Sequence, residues 1–110
     1  MKKEEVLGWN IVVADSFWSR LKGLLGKKKL DCGEGMLLKP CRQIHTWFMS
    51  FPIDVLFLDE KGRIIDLLST LEPGRISPFV KGCHQVLELP VGTIEKFSLK
   101  KGERVEILLT

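Results

Sequence analysis

The stretch that decides the fold lies near the middle of the chain and reads Ile53-Asp54-Val55-Leu56-Phe57-Leu58. Five of its six side chains are apolar, so a strand built from it is hydrophobic on nearly every position of both faces. This pattern predicts a central strand that is covered on both sides. Pro52 separates it from the preceding segment, because proline has no N–H to donate to a central ladder.

Turn residues and apolar runs on both sides of this segment predict more strands. Asp59-Glu60-Lys61-Gly62 predicts a hairpin turn in which the glycine supplies a positive φ, and residues 63–71 are the partner strand. Residues 72–82 contain two prolines and predict the longest irregular segment. Further strands are predicted at 7–14, 35–39, 42–49, 85–89 and 104–109, and a helical turn at 93–99.

One helix is predicted near the N-terminus, at residues 16–25, where Asp15-Ser16 offers an N-cap. Four apolar residues then recur at helical spacing: Phe17, Leu21, Leu24 and Leu25. Many short strands with a single helix favour a mainly β fold, either a small β-sandwich or jelly-roll-like fold or a partly open barrel. We expect residues 1–110 to form one domain with one short N-terminal helix.

Composition narrows the class of protein. The chain has 110 residues, of which 45% are hydrophobic and 28% charged, and this is ordinary for a globular domain. A net charge of +3 is too small to indicate nucleic acid binding. No apolar run reaches the length of a membrane span. We therefore expect neither a nucleic acid partner nor a membrane association.

Cysteine usage and the N-terminus bear on the compartment. Cys32, Cys41 and Cys83 are odd in number and unpatterned in spacing, which indicates a reducing environment rather than a disulfide framework. No apolar stretch with a cleavage site begins the chain, so no secretory signal is predicted. We expect a soluble cytoplasmic protein without a cofactor, as a monomer or a weak homodimer. The sequence has no phosphate-loop motif, which argues against an ATPase, and no dinucleotide-binding motif, which argues against a dehydrogenase. It also has no zincin motif.

Several motifs, in order and spacing, resemble a bacterial and archaeal family known as domain of unknown function 192. The resemblance covers roughly residues 11 to 109 and implies a compact, mainly β fold with a short N-terminal helix, but no known reaction. It is carried by Phe17-x-x-Arg20-x-x-Gly23-Leu24-Leu25, Gly35-Met36-Leu37-Leu38, the block Ile44 to Asp59, Val86-Leu87-Glu88-Leu89-Pro90-x-Gly92-Thr93 and Lys101-Gly102-Glu103.

Three residues are candidates for proton transfer: His45, Asp54 and Glu88. Together they would make a carboxylate–imidazole constellation. Each also has a structural interpretation. His45 is then a core histidine bonded to a backbone carbonyl. Asp54 is then a cap on the turn after Pro52 or the ion-pair partner of Arg20 or Arg42, and Glu88 is solvated on an outer face.

The second hypothesis is a binding site for a small polar ligand, because several polar residues could lie along the rim of a concave β face. The candidate set consists of Arg20, His45, Thr46, Asp54 and Arg75. An arginine can hold a carboxylate or phosphate through two hydrogen bonds. Arg20 has an alternative role, which is to anchor the helix to the sheet through a buried acid. Arg75 lies in the irregular segment, and binding residues are often found on loops.

A metal site is the third hypothesis. Cys41-x3-His45 has ligand-compatible spacing, and Cys83-His84 would complete a Cys2His2 set. Adjacent strand residues point to opposite faces, however, so Cys83 and His84 would bind one ion only in a loop. A nucleophilic Cys83 activated by a histidine is a further alternative.

These patterns favour a non-enzymatic module that binds a small polar ligand or a partner protein. The first alternative is a small hydrolase-like or metal-assisted enzyme that uses His45, Asp54 and Glu88. The second alternative is a structural accessory domain of a larger assembly. Fold alone does not separate them, since one fold hosts many functions.

Overall fold

The computed structural model describes residues 8–14, 30, 33–47 and 49–106. The predicted helix at 16–25 therefore lies outside the described residues. The described elements, in chain order, are β1 (Gly8–Ala14), β2 (Gly33–Leu38), β3 (Ile53–Leu58), β4 (Ile64–Leu71), β5 (Gln85–Pro90) and the short helix α1 (Thr93–Lys96). The bounds of β3 agree with the prediction, and β1, β2, β4, β5 and α1 agree to within a few residues.

The five strands form one open sheet in the order β1-β2-β5-β3-β4. β1 and β2 are parallel, whereas the pairs β2–β5, β5–β3 and β3–β4 are antiparallel. β3 thus has a hydrogen-bonded neighbour on each side, and all six of its residues are buried. The mainly β fold class predicted from the sequence is confirmed.

Alternate side chains of the sheet pack into two separate apolar layers. Val55 and Phe57 of β3 lie on the side called here the loop face, with Val86 of β5 and the non-strand residues Ile44 and Phe51; that layer also holds Met36, Leu38, Ile53, Val80 and Cys83. Leu56 and Leu58 lie on the opposite side, the helix face, where Leu37, Leu87, Leu89 and Ile94 join them. Each fully buried side chain of this size contributes about 1.5–3 kcal/mol.

The strand predicted at 42–49 is wrong, because among its described residues, 42–47 and 49, only His45 makes a β-bridge, with Ile76. Main-chain hydrogen bonds nevertheless tie residues 42–47 to 75–80, and we call these two segments the ribbon. Thr46 N donates to Arg75 O at 2.8 Å, and Ser77 N donates to Ile44 O at 2.9 Å. The ladder is irregular, because Ile44 N donates to the Ser77 hydroxyl and the next bond comes from Val80 N to Arg42 O, one residue out of step with a regular antiparallel pair.

The turn between β3 and β4 confirms the hairpin prediction. Gly62 has φ of 84° and donates to Asp59 O at 3.0 Å. Its own carbonyl accepts a 2.7 Å bond from Val105 N, which holds the segment around residue 105 against the turn. In the described part of the strand predicted at 104–109, only Arg104 makes a β-bridge, with Arg63. The prediction is therefore wrong for residues 105 and 106, which are not in a strand. Residues 107–109 lie outside the described residues.

Gly62→Ala should destabilise the fold strongly. A Cβ at this position would collide with the carbonyl oxygen of Val105 in addition to the strain of a positive φ. Gly74→Ala is the matched control, because Gly74 also has a positive φ of 76° but has open space around an added Cβ. Urea unfolding should show a loss of at least about 3 kcal/mol for Gly62→Ala and about 1 kcal/mol for the control. Equal losses would contradict the close approach of Val105.

Candidate functional site

Asp54 is the polar residue of β3, and its carboxylate is fully buried on the helix face. One oxygen accepts a 2.9 Å hydrogen bond from Thr70 N. The other accepts bonds from Gly92 N at 3.1 Å and Ile94 N at 2.9 Å. The carboxylate therefore joins β3 to the end of β4 and to the start of α1. The role of Asp54 is structural, but the predicted cap on the turn after Pro52 and the predicted ion pair with Arg42 are wrong, because the backbone groups that engage both oxygens come from distant parts of the chain.

Asp54→Ala should lower the free energy of unfolding by roughly 3 kcal/mol or more, because part-buried backbone N–H groups of three residues lose their acceptor. Asp54→Asn should cost less, since its amide keeps one acceptor oxygen. Ser69→Ala is the control, as Ser69 is exposed and precedes Thr70. Urea denaturation of the three variants checks this, and a loss below about 1 kcal/mol for Asp54→Ala would contradict the role.

Glu88 lies on the other side of the sheet from Asp54. It is in register with Met36 of β2 and Val55 of β3, whereas Asp54 is in register with Leu89. The predicted constellation of His45, Asp54 and Glu88 is therefore wrong. Neighbouring residues of β5 point to opposite faces, so pairing Asp54 with Leu89 places Glu88 on the loop face.

The Glu88 side chain is only 5% exposed, so its interpretation as a solvated residue is also wrong. Burial raises the pKa of Glu88 to about 7, because the ionised form loses its hydration. Within the described part of the chain, its carboxyl group makes no hydrogen bond or ion pair. A buried carboxylic acid without a partner is held in its neutral form over most of the acidic range.

Glu88 should make stability depend on pH. Its pKa rises from 4.5 to about 7 on folding, so the native state binds a proton that the unfolded state has released. The contribution is fully present below pH 4.5 and is lost as pH rises through about 7, by about 3 kcal/mol in total. Glu88→Gln should abolish this component of the pH profile, whereas Glu60→Gln, at an exposed turn residue, should keep it. The free energy of unfolding, measured from about pH 4 to pH 8, checks this prediction. If it depends on pH in the same way for the wild type and for Glu88→Gln, the prediction is refuted.

His45 is exposed on the ribbon and stacks on Trp47, with ring centroids 4.6 Å apart and an interplanar angle of 27°. The interpretation of His45 as a core histidine is therefore wrong. The alternation predicted from the sequence holds, because Ile44 and Thr46 are buried while Gln43, His45 and Trp47 are exposed. The structure thus presents an imidazole and an indole together to solvent.

The Thr46 side chain bonds the first segment of the ribbon to the backbone of residues 72–75, which follow β4. Its hydroxyl donates to Glu72 O at 2.6 Å and accepts from Arg75 N at 2.9 Å. Its carbonyl accepts bonds from Met49 N and Gly74 N. Thr46 is fully buried, so its hydroxyl serves the fold and is not presented to a ligand.

The structure brings together only part of the predicted ligand set. His45 and Arg75 are exposed at the same end of the ribbon, and Thr46 lies beneath it. Asp54 is buried on the helix face, where backbone groups occupy both of its oxygens. Arg20 lies outside the described residues.

The predicted metal ligands do not form one cluster. Cys41, Cys83 and His84 line a groove of about 390 Å³, and His45 is not part of its lining. The Cys83 thiol donates to Cys41 O at 3.3 Å, and burial raises its pKa, which disfavours both a metal-binding and a nucleophilic thiolate. Among the described residues, no three histidine, cysteine or acidic side chains gather closely enough to hold a metal ion.

Sequence reasoning missed two exposed apolar residues on the second segment of the ribbon, Ile76 opposite His45 and Phe79 towards the Arg42 end. Ile76 is 56% exposed and Phe79 is 60% exposed, and Trp47 is 47% exposed. With His45 these residues are named the ribbon patch. The available signal was the presence of two large apolar side chains in a proline-containing segment, where neither a strand nor a helix positions them for burial.

Fold and site together define a small, mainly β domain with buried, structural acids and an exposed aromatic ribbon. Comparison with known families then gives the identity at the family level. The model of the DUF192 family, described as "Uncharacterized ACR, COG1430", matches residues 2–107. The chain belongs to this family, as the sequence motifs predicted.

Individual relatives agree with this assignment. A "UPF0127 protein PH1112" of Pyrococcus horikoshii is 33% identical over 105 residues, covering 91% of this chain and 90% of that protein. A UPF0127 protein of Thermococcus sibiricus is 28% identical over 108 residues, covering 94% and 70%. UPF0127 proteins are, like the family, uncharacterised.

A solved structure shares the fold. A Sinorhizobium meliloti protein, provisionally described as a transcription regulator, superposes with a TM-score of 0.80 at 24% identity, covering 87% of this chain and 79% of that one. At this identity the likeness shows the fold alone. In the part of the chain that the structure describes, no helix has the length and apolar character of a membrane span.

Proposed function

We propose that this protein is a non-enzymatic binding module whose recognition surface is the ribbon patch. The observation that carries the proposal is the clustering of exposed apolar side chains. Of the four large hydrophobic residues exposed in the described part of the chain, Trp47, Ile76 and Phe79 lie on the ribbon, and only Val91 lies elsewhere. Clustered exposed apolar groups mark interaction sites, whereas scattered ones are ordinary.

The ribbon is also well suited to binding because it is held in place before any partner arrives. Thr46, Ser77 and Val80 are buried and anchor it from below. The Ser77 hydroxyl accepts a 2.9 Å bond from Ile44 N, and Val80 N donates to Arg42 O at 3.0 Å. A surface that is already ordered loses little conformational entropy on binding, which favours affinity.

The alternatives fit these observations less well. A hydrolase-like enzyme using His45, Asp54 and Glu88 required the three side chains to converge, and they lie on an exposed ribbon and on two opposite faces of the sheet. An accessory domain of a permanent assembly would be expected to bury on the order of 2,000 Å² or more in an apolar interface. A patch built around three apolar side chains is better matched to a short segment of a partner.

The binding role can be tested without knowing the partner. Small organic probes such as phenol, isopropanol and acetate, titrated into ¹⁵N-labelled protein, should shift amide resonances that cluster at residues 42–47 and 75–80. Hydrophobic probes collect where apolar groups are exposed together. The double variant Trp47→Ser with Phe79→Ser should lose most of the clustered shifts. Its stability should change by less than about 2 kcal/mol, because Phe79 is 60% exposed and Trp47 is about half exposed.

Val91→Ser is the matched control, as it removes a comparably exposed apolar side chain away from the ribbon. It should leave the shifts on the ribbon unchanged. If the probes scatter evenly over the surface, or shift Cys83 and His84 in the groove beside Phe79 without shifting His45, Trp47 and Ile76, the ribbon patch is not the recognition surface.

A further inference from the structure

The main chain of the ribbon leaves hydrogen-bonding groups directed outward at the pair His45–Ile76, and the Ile76 edge is the one flanked by exposed apolar side chains. The bonds from Thr46 N to Arg75 O and from Ser77 N to Ile44 O flank the pair His45–Ile76. In this antiparallel pattern the enclosed pair exchanges no bonds, so its own N–H and C=O groups point away from the ribbon. Within the described residues, neither the N–H nor the C=O of Ile76 has a hydrogen-bond partner.

The side chains around this edge are apolar and exposed. Ile76 itself is 56% exposed and Phe79 is 60% exposed. An extended segment laid alongside Ile76 would therefore form two main-chain bonds and contact these side chains at the same time. Pro78 lies two residues further on and has no N–H, so the edge ends there. A short edge ended by proline is one that natural sheets use to prevent uncontrolled strand addition.

The charges on and beside the ribbon are unbalanced. Arg42, Arg75 and Lys81 are exposed cations, and Glu72 is the exposed acid among residues 42–47 and 72–81. The groove beside Arg42 adds two acids and two cations, which offset each other: Asp59, Glu60, Lys61 and Arg63. In the described part of the chain, neither the Arg42 nor the Arg75 side chain forms an ion pair. This surface is complementary to carboxylates, which arginine binds through two parallel hydrogen bonds.

We propose that the partner recognised by the ribbon is an extended, acidic polypeptide segment that adds alongside Ile76. Its main chain exchanges hydrogen bonds with the N–H and C=O of Ile76. Its apolar side chains contact Ile76 and Phe79, and its carboxylates face Arg75, with the further cation Arg42 on the other segment of the ribbon. This inference rests on the proposed binding role and names the class of partner.

Two other occupants are disfavoured by the same observations. An anionic membrane would also attract exposed aromatic and basic residues. Burying the unpaired N–H and C=O of Ile76 among acyl chains would leave both groups without a partner, which costs several kcal/mol. A second copy of this chain would bring like charges together if the two ribbons met face to face.

The probe for the test is the blocked peptide Ac-(Glu-Val)3-NH2, with Ac-(Lys-Val)3-NH2 as the charge control, each measured by titration calorimetry at low ionic strength. We expect the acidic peptide to bind with a dissociation constant on the order of 100 µM. The basic peptide should bind at least about tenfold more weakly. Arg75→Glu should reverse this preference. Binding to anionic phosphatidylserine vesicles without binding to the acidic peptide would overturn the proposal in favour of a membrane.

The main-chain component is tested separately. Ile76→Pro removes the outward N–H without breaking an internal hydrogen bond. It should weaken binding of the acidic peptide about tenfold. Ile76→Val keeps the N–H in a side chain of similar size and should stay within about threefold. If Ile76→Pro does not fold, the same peptide N-methylated at every valine still tests the main-chain bonds on the unaltered protein.

Equal binding of the methylated and unmethylated peptides would refute strand addition. Failure of this inference is distinguishable from failure of the binding role. Organic probes that cluster on the ribbon while both peptides fail to bind would leave the ribbon as a recognition surface for a different partner. Probes that do not cluster there would remove both proposals.

Discussion

Burial of β3 on both faces is the constraint on which the rest of the structure depends. A strand whose side chains are nearly all apolar must have a hydrogen-bonded neighbour along each edge and a covering layer over each face. β4 and β5 supply the two edges. On the loop face the cover includes residues that belong to no strand, among them Ile44, Phe51 and Val80. The irregular segments of this protein are therefore part of its core, and the ribbon is the outer side of that cover.

The two buried acids, Asp54 and Glu88, differ in the number of hydrogen-bond donors around their carboxyl groups. Asp54 is surrounded by backbone donors at the meeting point of β3, β4 and α1, and it replaces hydration with three hydrogen bonds. Glu88 lies between Met36 and Val55 without such donors, so its environment favours the neutral acid. The first arrangement holds separate elements together, and the second makes the centre of the sheet sensitive to protonation.

The inner side of the ribbon is buried and held by hydrogen bonds, whereas its outer side is exposed to solvent. Buried hydroxyl groups of Thr46 and Ser77 satisfy backbone groups of the opposing segment, which allows a region without regular strands to keep one conformation. The outward positions carry the aromatic and aliphatic side chains instead. Because Pro78 shortens the edge at Ile76, only a limited main-chain pairing is open to a partner. Such an arrangement suits reversible recognition better than permanent sheet extension.

The sequence by itself determined β3, the Asp59–Gly62 turn and the family, because each is encoded in residues that are close together in the chain. An apolar run and a glycine in a tight turn act through local geometry. The ribbon was beyond this reach, since residues 42–49 become a strand only if a distant segment supplies a continuous ladder, and the bonds from residues 75–80 fall out of step at Val80. The placement of Asp54 and Glu88 on opposite faces, and the exposure of Ile76 and Phe79, were decided by the tertiary structure alone. They follow from the register between strands about thirty residues apart, and no local pattern fixes that register.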